Sequence, residues 1–195
     1  MRNYHSALSK ELSGIPDGNM LRVGNSYVFC HDIKNGADIL HRNADVMYSE
    51  LAWSAGHEKF NERANSITSY EEYIAGINDC IFTLKVPTFI IAGKKEGKYL
   101  TSVNRQEFNS SINGAKAVLY CYNIDADMDF SDFKDIEVLD YISNKYRAVC
   151  DPCCGYGRAG KIFAQKGKSF IMSDYNKKCV GYIIKEMEGW LNTKI

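Results

Sequence analysis

The segment from residue 146 to residue 164 constrains the fold of this chain more than any other. A short apolar run over 146–150 is followed by Asp151 and Pro152, and Gly155 and Gly157 come directly after them. The Asp-Pro pair predicts the end of a strand, because a residue that precedes proline avoids helical geometry. Residues 158–164 then have the pattern of a helix start. A strand, a glycine turn and a helix in this order let backbone N–H groups approach a ligand closely.

A second apolar run, residues 169–172, follows and ends in Ser173 and Asp174. An acidic residue at the end of the second strand of a βαβ unit is placed to bond ribose hydroxyls. The spacing from Gly157 to Asp174 is close to that of a dinucleotide fingerprint. Two glycines alone also suit a tight turn without a ligand. The Asp-Pro pair, the helix and Asp174 together favour a nucleoside ligand.

Apolar strands alternate with helices along the rest of the chain. We predict strands over 27–30, 44–49, 88–92, 117–122, 146–150 and 169–172, and helices over 34–41, 70–84, 102–111, 133–146, 158–164 and 177–191. Ser69 and Glu72 form a capping pair for the second helix, and Asn113-Gly114 is interpreted as the end of the third. The alternation predicts an α/β fold with a mostly parallel sheet covered on both faces.

Length and composition fit one compact unit. The 195 residues predict a single domain over 1–195, in which residues 1–24 are an N-terminal extension or lid. Lys and Arg total 24 and so do Asp and Glu, so there is no global basic field for nucleic acid. No apolar run approaches the ~20 residues of a membrane span, and no secretory signal is visible. We therefore expect a cytoplasmic protein without a membrane partner.

The seven cysteines are predicted to be reduced structural thiols. Their number is odd, and several of them lie inside predicted strands. Cys150 and Cys153 have metal-ligand spacing, but a zinc site needs a second pair at similar spacing. We therefore predict no metal site.

Polar residues follow four of the predicted strands. They are His31-Asp32, Glu50-Leu51-Ala52-Trp53, Gly93-Lys94-Lys95, and Asp151 with its glycines. In an open α/β sheet the ligand lies at the carboxyl ends of the strands, near the point where the strand order reverses. These residues are therefore expected to surround one site.

Two segments resemble a known family. Residues 151–157 resemble motif I of the S-adenosylmethionine (SAM) dependent methyltransferases, in the variant of the amino-methyltransferases that act on DNA bases. Residues 45–53 resemble the strand that leads into the Asp-Pro-Pro-aromatic tetrad of that family. The glycine strand comes late in the chain, as in the circularly permuted β class of adenine-N6 and cytosine-N4 enzymes. The resemblance covers nearly the whole chain and implies a Rossmann-like, doubly wound class I methyltransferase fold, circularly permuted.

The resemblance also implies roles for individual residues. The SAM-binding set would be Asp32, Asp151, Pro152, Cys153, Gly155, Gly157, Asp174 and Tyr175. Within it, Asp151 and the glycine turn would hold the methionine part and Asp174 the ribose, while His31 or Asp32 would meet the adenine. The Glu50 carboxylate and the Leu51 carbonyl would accept hydrogen bonds from the target amine, and Trp53 would stack on the base. The rim residues His57, Lys59, Arg63, Lys94, Lys95 and Arg105 would meet phosphates.

The tetrad departs from the family. It reads Glu50-Leu51-Ala52-Trp53, so both prolines are missing and the carboxylate has a longer arm. Structural explanations also exist for several of these residues. Asp32 and Asp45 suit strand-end caps, Glu50 a solvated loop position, Trp53 a core anchor, and Lys94 and Lys95 a solvated strand end.

The resemblance leads to one principal interpretation and two alternatives. The first is a SAM-dependent methyltransferase acting on adenine N6 of DNA, in a compact form typical of phage enzymes. No segment of ~80 to 100 residues is left for target recognition, which suggests a homodimer or a separate recognition subunit. The second is a degenerate SAM-binding protein or partner subunit without transferase activity. The third is a methyltransferase for a small molecule or a protein, because fold does not fix substrate.

Overall fold

The computed structural model describes residues 20–51, 57–59, 62, 67–112, 114–125 and 127–192. In these residues eight strands form one sheet. The strands are β1 (Met20–Val23), β2 (Ser26–Cys30), β3 (Val46–Glu50), β4 (Thr88–Ala92), β5 (Arg105–Ile112), β6 (Ala115–Tyr122), β7 (Ala148–Asp151) and β8 (Ser169–Asp174). Their order across the sheet is β1-β2-β8-β7-β3-β4-β6-β5.

Helices cover both faces of this sheet. They are α1 (Tyr70–Leu84), α2 (Asp135–Lys145), α3 (Arg158–Gln165) and α4 (Lys177–Asn192), and short 3-10 turns lie at Ile33–Asn35, Ile39–Asn43 and Glu96–Tyr99. One buried cluster joins the sheet to α2, α3 and α4, and a second joins the other face to α1. The strands β2, β8, β7, β3 and β4 run parallel, whereas β1, β6 and β5 make antiparallel pairs at the two edges. The predicted doubly wound α/β fold with a mostly parallel sheet is confirmed.

Local signals placed most elements correctly. Helix α1 covers the predicted residues 70–84 and has the predicted capping box: Glu72 N donates to Ser69 Oγ, and Ser69 N donates to Glu72 Oε2. Each predicted strand matches an observed one within two residues at either end. The central strands could be predicted because they are continuous apolar runs. Such runs are typical of strands covered on both faces, and every residue of β4 is buried.

Two predicted helices need correction. The helix predicted over 102–111 is strand β5, which pairs with β6 up to Ile112 and Ala115. The two strands form a β-hairpin, and Gly114, directly before β6, has a φ of +80°. Residues 34–41 form parts of two 3-10 turns instead of one helix. Residues 20–23 of the predicted extension form β1, and residues 1–19 lie outside the described residues, so the extension over 1–24 stays a prediction.

The two central strands β3 and β7 set the position of the site. The glycine turn and α3 follow β7, and β7 pairs with β8 on one side and β3 on the other. The sheet therefore extends in opposite directions from the β7–β3 pair, which is the switch point where ligands bind in such folds. Asp45 fixes the start of this pair, because its Oδ2 accepts hydrogen bonds from the N–H groups of Arg147 and Ala148. Asp45 is thus a strand-end cap.

Within the described part of the chain, no helix has the length and apolar character needed to cross a bilayer.

Candidate functional site

A cavity of about 570 Å³ opens at the carboxyl ends of the central strands. Its lining brings together six residues of the predicted cofactor set, namely Asp151, Pro152, Cys153, Gly155, Asp174 and Tyr175. It also includes Glu50, Leu51 and His57 from the predicted catalytic and substrate sets. Residues from strand ends about 100 positions apart in sequence therefore share one cavity.

Asp151 ends β7 and is held from one side. Its Oδ1 accepts hydrogen bonds from Ser49 Oγ at 3.1 Å and from Cys153 N at 3.2 Å. No donor among the described residues bonds Oδ2, so this oxygen is available to a ligand in the cavity. Asp151 is buried, and this burial raises the pKa of its carboxyl well above the usual value, although the Cys153 N–H acts in the opposite direction.

The two glycines of the turn have different surroundings. Gly155 lines the cavity with a φ of +50°, and a Cβ added to it would meet no atom within 4 Å. Gly157 has a φ of +74°, but a Cβ there would lie 2.8 Å from Ile183 and 2.9 Å from Trp190 in helix α4. Gly155 therefore gives the backbone access to the cavity, whereas Gly157 allows α4 to pack against the turn.

Asp174 ends β8 and ties this strand to the glycine turn. Its Oδ2 accepts a hydrogen bond from Gly155 N at 2.9 Å, and its Oδ1 accepts one from Asn176 N at 2.8 Å. Burial raises the pKa of its carboxyl to about 6, against the lowering effect of the two N–H groups. Each carboxylate oxygen can accept a second hydrogen bond, so the predicted ribose contact is compatible with both tethers.

The histidine and the aspartate that follow β2 have separate roles. His31 lines the cavity, and its Nε2 lies 2.7 Å from the Gly36 carbonyl oxygen, to which it donates. Asp32 is absent from the lining. It caps the turn at Ile33–Asn35 by accepting from Lys34 N, and it also accepts from Thr68 Oγ1 at 2.9 Å. The structure thus places His31, and not Asp32, against the cavity.

The buried His41 supports the segment before the glycine turn through a chain of hydrogen bonds. Asp38 N donates to His41 Nδ1 at 3.0 Å, so Nε2 carries the proton and donates to Ser173 Oγ at 2.9 Å. Ser173 Oγ in turn donates to the Pro152 carbonyl at 3.4 Å. Burial, together with the nearby His31, lowers the pKa of His41 to about 4. The histidine is therefore neutral at physiological pH and links β8 to the Asp-Pro segment.

Glu50 ends β3 and is held by a phenol and a guanidinium. Its Oε1 accepts from Tyr48 Oη at 2.6 Å and from Arg158 Nη1 at 3.2 Å. Arg158 also pairs with Asp135 of α2. Within the described residues, Oε2 accepts no hydrogen bond. Burial and the adjacent Glu50 raise the pKa of the Tyr48 hydroxyl well above its usual value, so the phenol remains a donor.

Arg158 is the site residue that sequence reasoning missed. It follows the glycine turn directly and lines the cavity, so its place after Gly157 was a local signal. Its partner Glu50 is 108 positions away in the sequence, and no local pattern links the two. The two residues meet because β3 and β7 are neighbours in the sheet.

Of the predicted basic rim, His57 lines the cavity, whereas Lys59, Lys94, Lys95 and Arg105 do not. Lys59, Lys94 and Lys95 are exposed. Arg105 is engaged within the fold, because its guanidinium donates to the carbonyls of Gly97 and Leu100 and pairs with Glu107. Trp53 and Arg63 lie outside the described residues. Among the residues that are described, no group of three or more His, Cys, Asp or Glu side chains is placed to hold a metal ion.

Comparison with known proteins yields structural matches only. No protein-family model matches the sequence, and no curated protein does. A structure of TTHA0409 from Thermus thermophilus, a proposed DNA modification methylase, matches with a TM-score of 0.56 at 10% identity, covering 85% of this chain and 95% of that one. The structure of M1.HpyAVI matches with a TM-score of 0.50 at 12% identity, covering 85% and 98%. The chain shares their fold.

Both similar proteins also have structures with SAM. The TTHA0409 complex with SAM matches with a TM-score of 0.53 at 9% identity and covers 85% of this chain and 96% of that one. The M1.HpyAVI–SAM complex matches with a TM-score of 0.50 at 10% identity, covering 82% and 97%.

Proposed function

We propose that this chain is a SAM-dependent methyltransferase that transfers a methyl group to an exocyclic amine of DNA, adenine N6. The observation that carries the proposal is the cavity at the switch point. There Asp151 and Glu50, at the ends of neighbouring strands, each use one carboxylate oxygen for the protein and leave the other without a protein donor among the described residues. The fold shared with TTHA0409, a proposed DNA modification methylase, and with M1.HpyAVI, both also determined with SAM, supports the proposal.

The chain order supports a circular permutation. In ordinary SAM methyltransferases the glycine strand comes first, and the resemblance described above places it late in the β class. Here the glycine strand β7 is seventh of the eight strands in sequence but central in the sheet. We propose that the chain is one permuted methyltransferase-like domain to which residues 1–24 add an extension with β1 at the sheet edge.

The residues around the cavity fit SAM. The cavity volume of about 570 Å³ lies within the ~300–1,000 Å³ typical of cofactor sites. Asp151 Oδ2 would face the ammonium of the methionine part, and Gly155 leaves room for it beside the backbone. Asp174 would accept from the ribose hydroxyls, and His31 and Tyr175 offer planar groups to the adenine.

The chain's own residues would orient the acceptor amine. Bound SAM supplies an electrophilic methyl group on a sulfonium. Glu50 Oε2 and the Leu51 carbonyl would accept hydrogen bonds from the two amine N–H groups. These bonds would direct the nitrogen lone pair toward the methyl group. Leu51 N donates to the Ile91 carbonyl at 2.9 Å, so pairing with β4 fixes the peptide between Glu50 and Leu51. Trp53 would stack on the base, which in duplex DNA must be flipped out at a cost of a few kcal/mol.

Basic residues would contact the DNA backbone outside the cavity. Lys59, Lys94 and Lys95 are exposed, and we propose that they meet phosphates together with Arg63, and that His57 lies between this rim and the cavity. Because such contacts release counterions, DNA affinity is expected to fall steeply with salt.

Transfer from labelled SAM to unmethylated duplex DNA tests the proposal. We expect Glu50→Ala to bind SAM normally in calorimetry and to lose transfer by at least about 100-fold, since it removes an acceptor for the amine. Asp174→Ala should lose SAM binding, because it removes the ribose acceptor and the tether of Gly155. Asp127→Ala removes an exposed carboxylate and serves as the matched control. Normal transfer by Glu50→Ala would contradict the catalytic assignment.

One observation favours a second candidate, a SAM-binding subunit without transferase activity. The Glu50 carboxylate, which would accept a hydrogen bond from the amine, is already paired with Arg158 through Oε1. If that pairing holds Glu50 away from an acceptor, the protein binds SAM in calorimetry but labels no DNA. The same two measurements therefore separate the two candidates.

A further inference from the structure

We propose that Arg158 is a positioning residue for methyl transfer: it fixes Glu50 Oε1 so that Oε2 faces the acceptor amine. This inference rests on the proposed function. It assigns the Arg158–Glu50 ion pair a role in positioning the acceptor carboxylate, whereas in the second candidate the same pair prevents Glu50 from binding the amine.

Arg158 belongs to both halves of the site. It is the first residue of α3 and follows Gly157 directly, so its backbone is part of the segment proposed to hold the cofactor. Its side chain reaches across the cavity lining to Glu50 at the end of β3, with Nη1 3.2 Å from Oε1. One side chain therefore connects the glycine turn to the carboxylate proposed as the acceptor.

Asp135 holds the guanidinium on a separate element. Asp135 is the first residue of α2, its side chain is only 8% exposed, and it pairs with the same Nη1 atom of Arg158. The Asp135 carboxylate is itself fixed, because its Oδ1 accepts from Ile136 N at 2.9 Å. A guanidinium anchored in this way cannot follow Glu50 when the glutamate changes rotamer, so it restrains the glutamate.

The restraint matters because Glu50 has one more rotatable bond than the aspartate of the family tetrad. An additional free torsion costs the conformational entropy of ordering it each time the acceptor binds. Tyr48 Oη at 2.6 Å and Arg158 Nη1 both bond Oε1, and these two contacts determine where Oε2 lies. The ion pair and the phenol thus supply side-chain rigidity in a motif that lacks both prolines.

The experiment compares kcat, KM for DNA and SAM affinity in single and double variants. Arg158→Met should lower kcat about 100-fold, the loss expected for a misplacement of about 1 Å. SAM affinity and KM for DNA should change less than about threefold, because the Arg158 guanidinium is bonded to Glu50 and Asp135 and is assigned no bond to either ligand. Arg158→Lys should recover part of the loss. Arg147→Met removes an exposed arginine at the start of β7 and should behave as wild type.

Two further outcomes identify the mechanism. In a Glu50→Gln background, Arg158→Met should cause little additional loss, because both changes disable the same carboxylate. Nitrogen-detected NMR of the Arg158 Nη groups should show hindered rotation in the wild type that Glu50→Gln reduces only in part, because Asp135 still bonds the same Nη1 atom, and this measurement requires no turnover.

The failures are distinguishable. Wild-type protein that labels no DNA overturns the proposed function and this inference with it. Active wild-type protein with an equally active Arg158→Met variant overturns the inference alone. An equal loss of SAM affinity and kcat in Arg158→Met also overturns it, because Arg158 would then be a cofactor ligand or a support of the fold.

Discussion

Asp151 and Glu50 end neighbouring strands and are held in the same way, but by groups of different charge. Each carboxylate uses one oxygen for two protein donors. The donors to Asp151 are a hydroxyl and a backbone N–H, and its burial raises the pKa of the carboxyl. The donors to Glu50 are a phenol and a guanidinium. The charge at Glu50 is balanced within the protein, whereas we propose that a cationic ligand in the cavity balances the charge at Asp151.

Replacing Asp151 by asparagine tests this difference most directly, with the largest expected effect. The asparagine side chain would keep an oxygen for Ser49 and Cys153, so Asp151→Asn loses only the charge toward the cavity. We expect SAM affinity to fall about 100-fold, the value of one charge-assisted hydrogen bond, while stability at neutral pH is retained. Calorimetry and chemical unfolding measure the two quantities.

The matched control is the same isosteric exchange at the neighbouring carboxylate. Glu50→Gln should change SAM affinity by less than about threefold. If the two variants weaken SAM binding equally, the proposed division between a cofactor carboxylate and an acceptor carboxylate is wrong.

We expect acid to destabilise the fold near Asp151, because the folded protein holds His41 in its neutral form. The unfolded chain protonates this histidine near pH 6.5, but in the folded protein its pKa is about 4, so lowering the pH favours unfolding. From pH 6.5 to pH 5 we expect the free energy of unfolding of wild type, relative to His41→Gln, to fall by about 2 kcal/mol. Urea unfolding at a series of pH values measures the difference.

The comparison with His41→Gln is necessary because Asp174 acts in the opposite direction. Its carboxyl has a folded pKa of about 6, above the unfolded value, so it stabilises the fold as the pH falls through the same range. Only the difference between the two proteins isolates the histidine. If the difference in the free energy of unfolding between wild type and His41→Gln stays constant from pH 6.5 to pH 5, His41 takes up its proton in the folded state, and the prediction is wrong.

The smallest predicted effect distinguishes the two glycines behind Asp151. Alanine at either position costs stability because both have positive φ. Gly157→Ala should cost about 1 kcal/mol more than Gly155→Ala, because its Cβ would meet Ile183 and Trp190. Gly155→Ala should instead have the larger effect on SAM affinity. Thermal unfolding and calorimetry on the two variants check this, and equal costs in stability would contradict the packing role of Gly157.

Much of this arrangement could be predicted from the sequence. The fully apolar strands, the Ser69 capping box and the Asp-Pro-glycine segment are local signals, and local signals placed Asp151, Gly155 and Asp174 around one cavity with Glu50. The β5–β6 hairpin was missed because Asn-Gly also suits the end of a helix, and only the pairing with β6 decides between the two.

Long-range contacts were the part that sequence reasoning could not supply. Arg158 joins Glu50 and Asp135 across 108 and 23 positions, and the sequence contains no periodicity that connects them. Asp32 and the two lysines after β4 follow strand ends as expected, but the turns after those strands determine whether a side chain lines the cavity. Position at a strand end was therefore a better guide for Asp151 and Glu50 than for these residues.

The pairing of β3 with β7 also has a consequence for biosynthesis. Ser49 and Asp151 are 102 positions apart and are joined by a hydrogen bond in the finished sheet. A nascent chain emerging from the ribosome carries β3 and Glu50 long before it carries β7. Non-local strand pairs of this kind form slowly, because loop closure must come first. The cavity at the ends of these strands is therefore assembled only after β7 has been synthesised, and until then the edge of β3 that pairs with β7 lacks this partner.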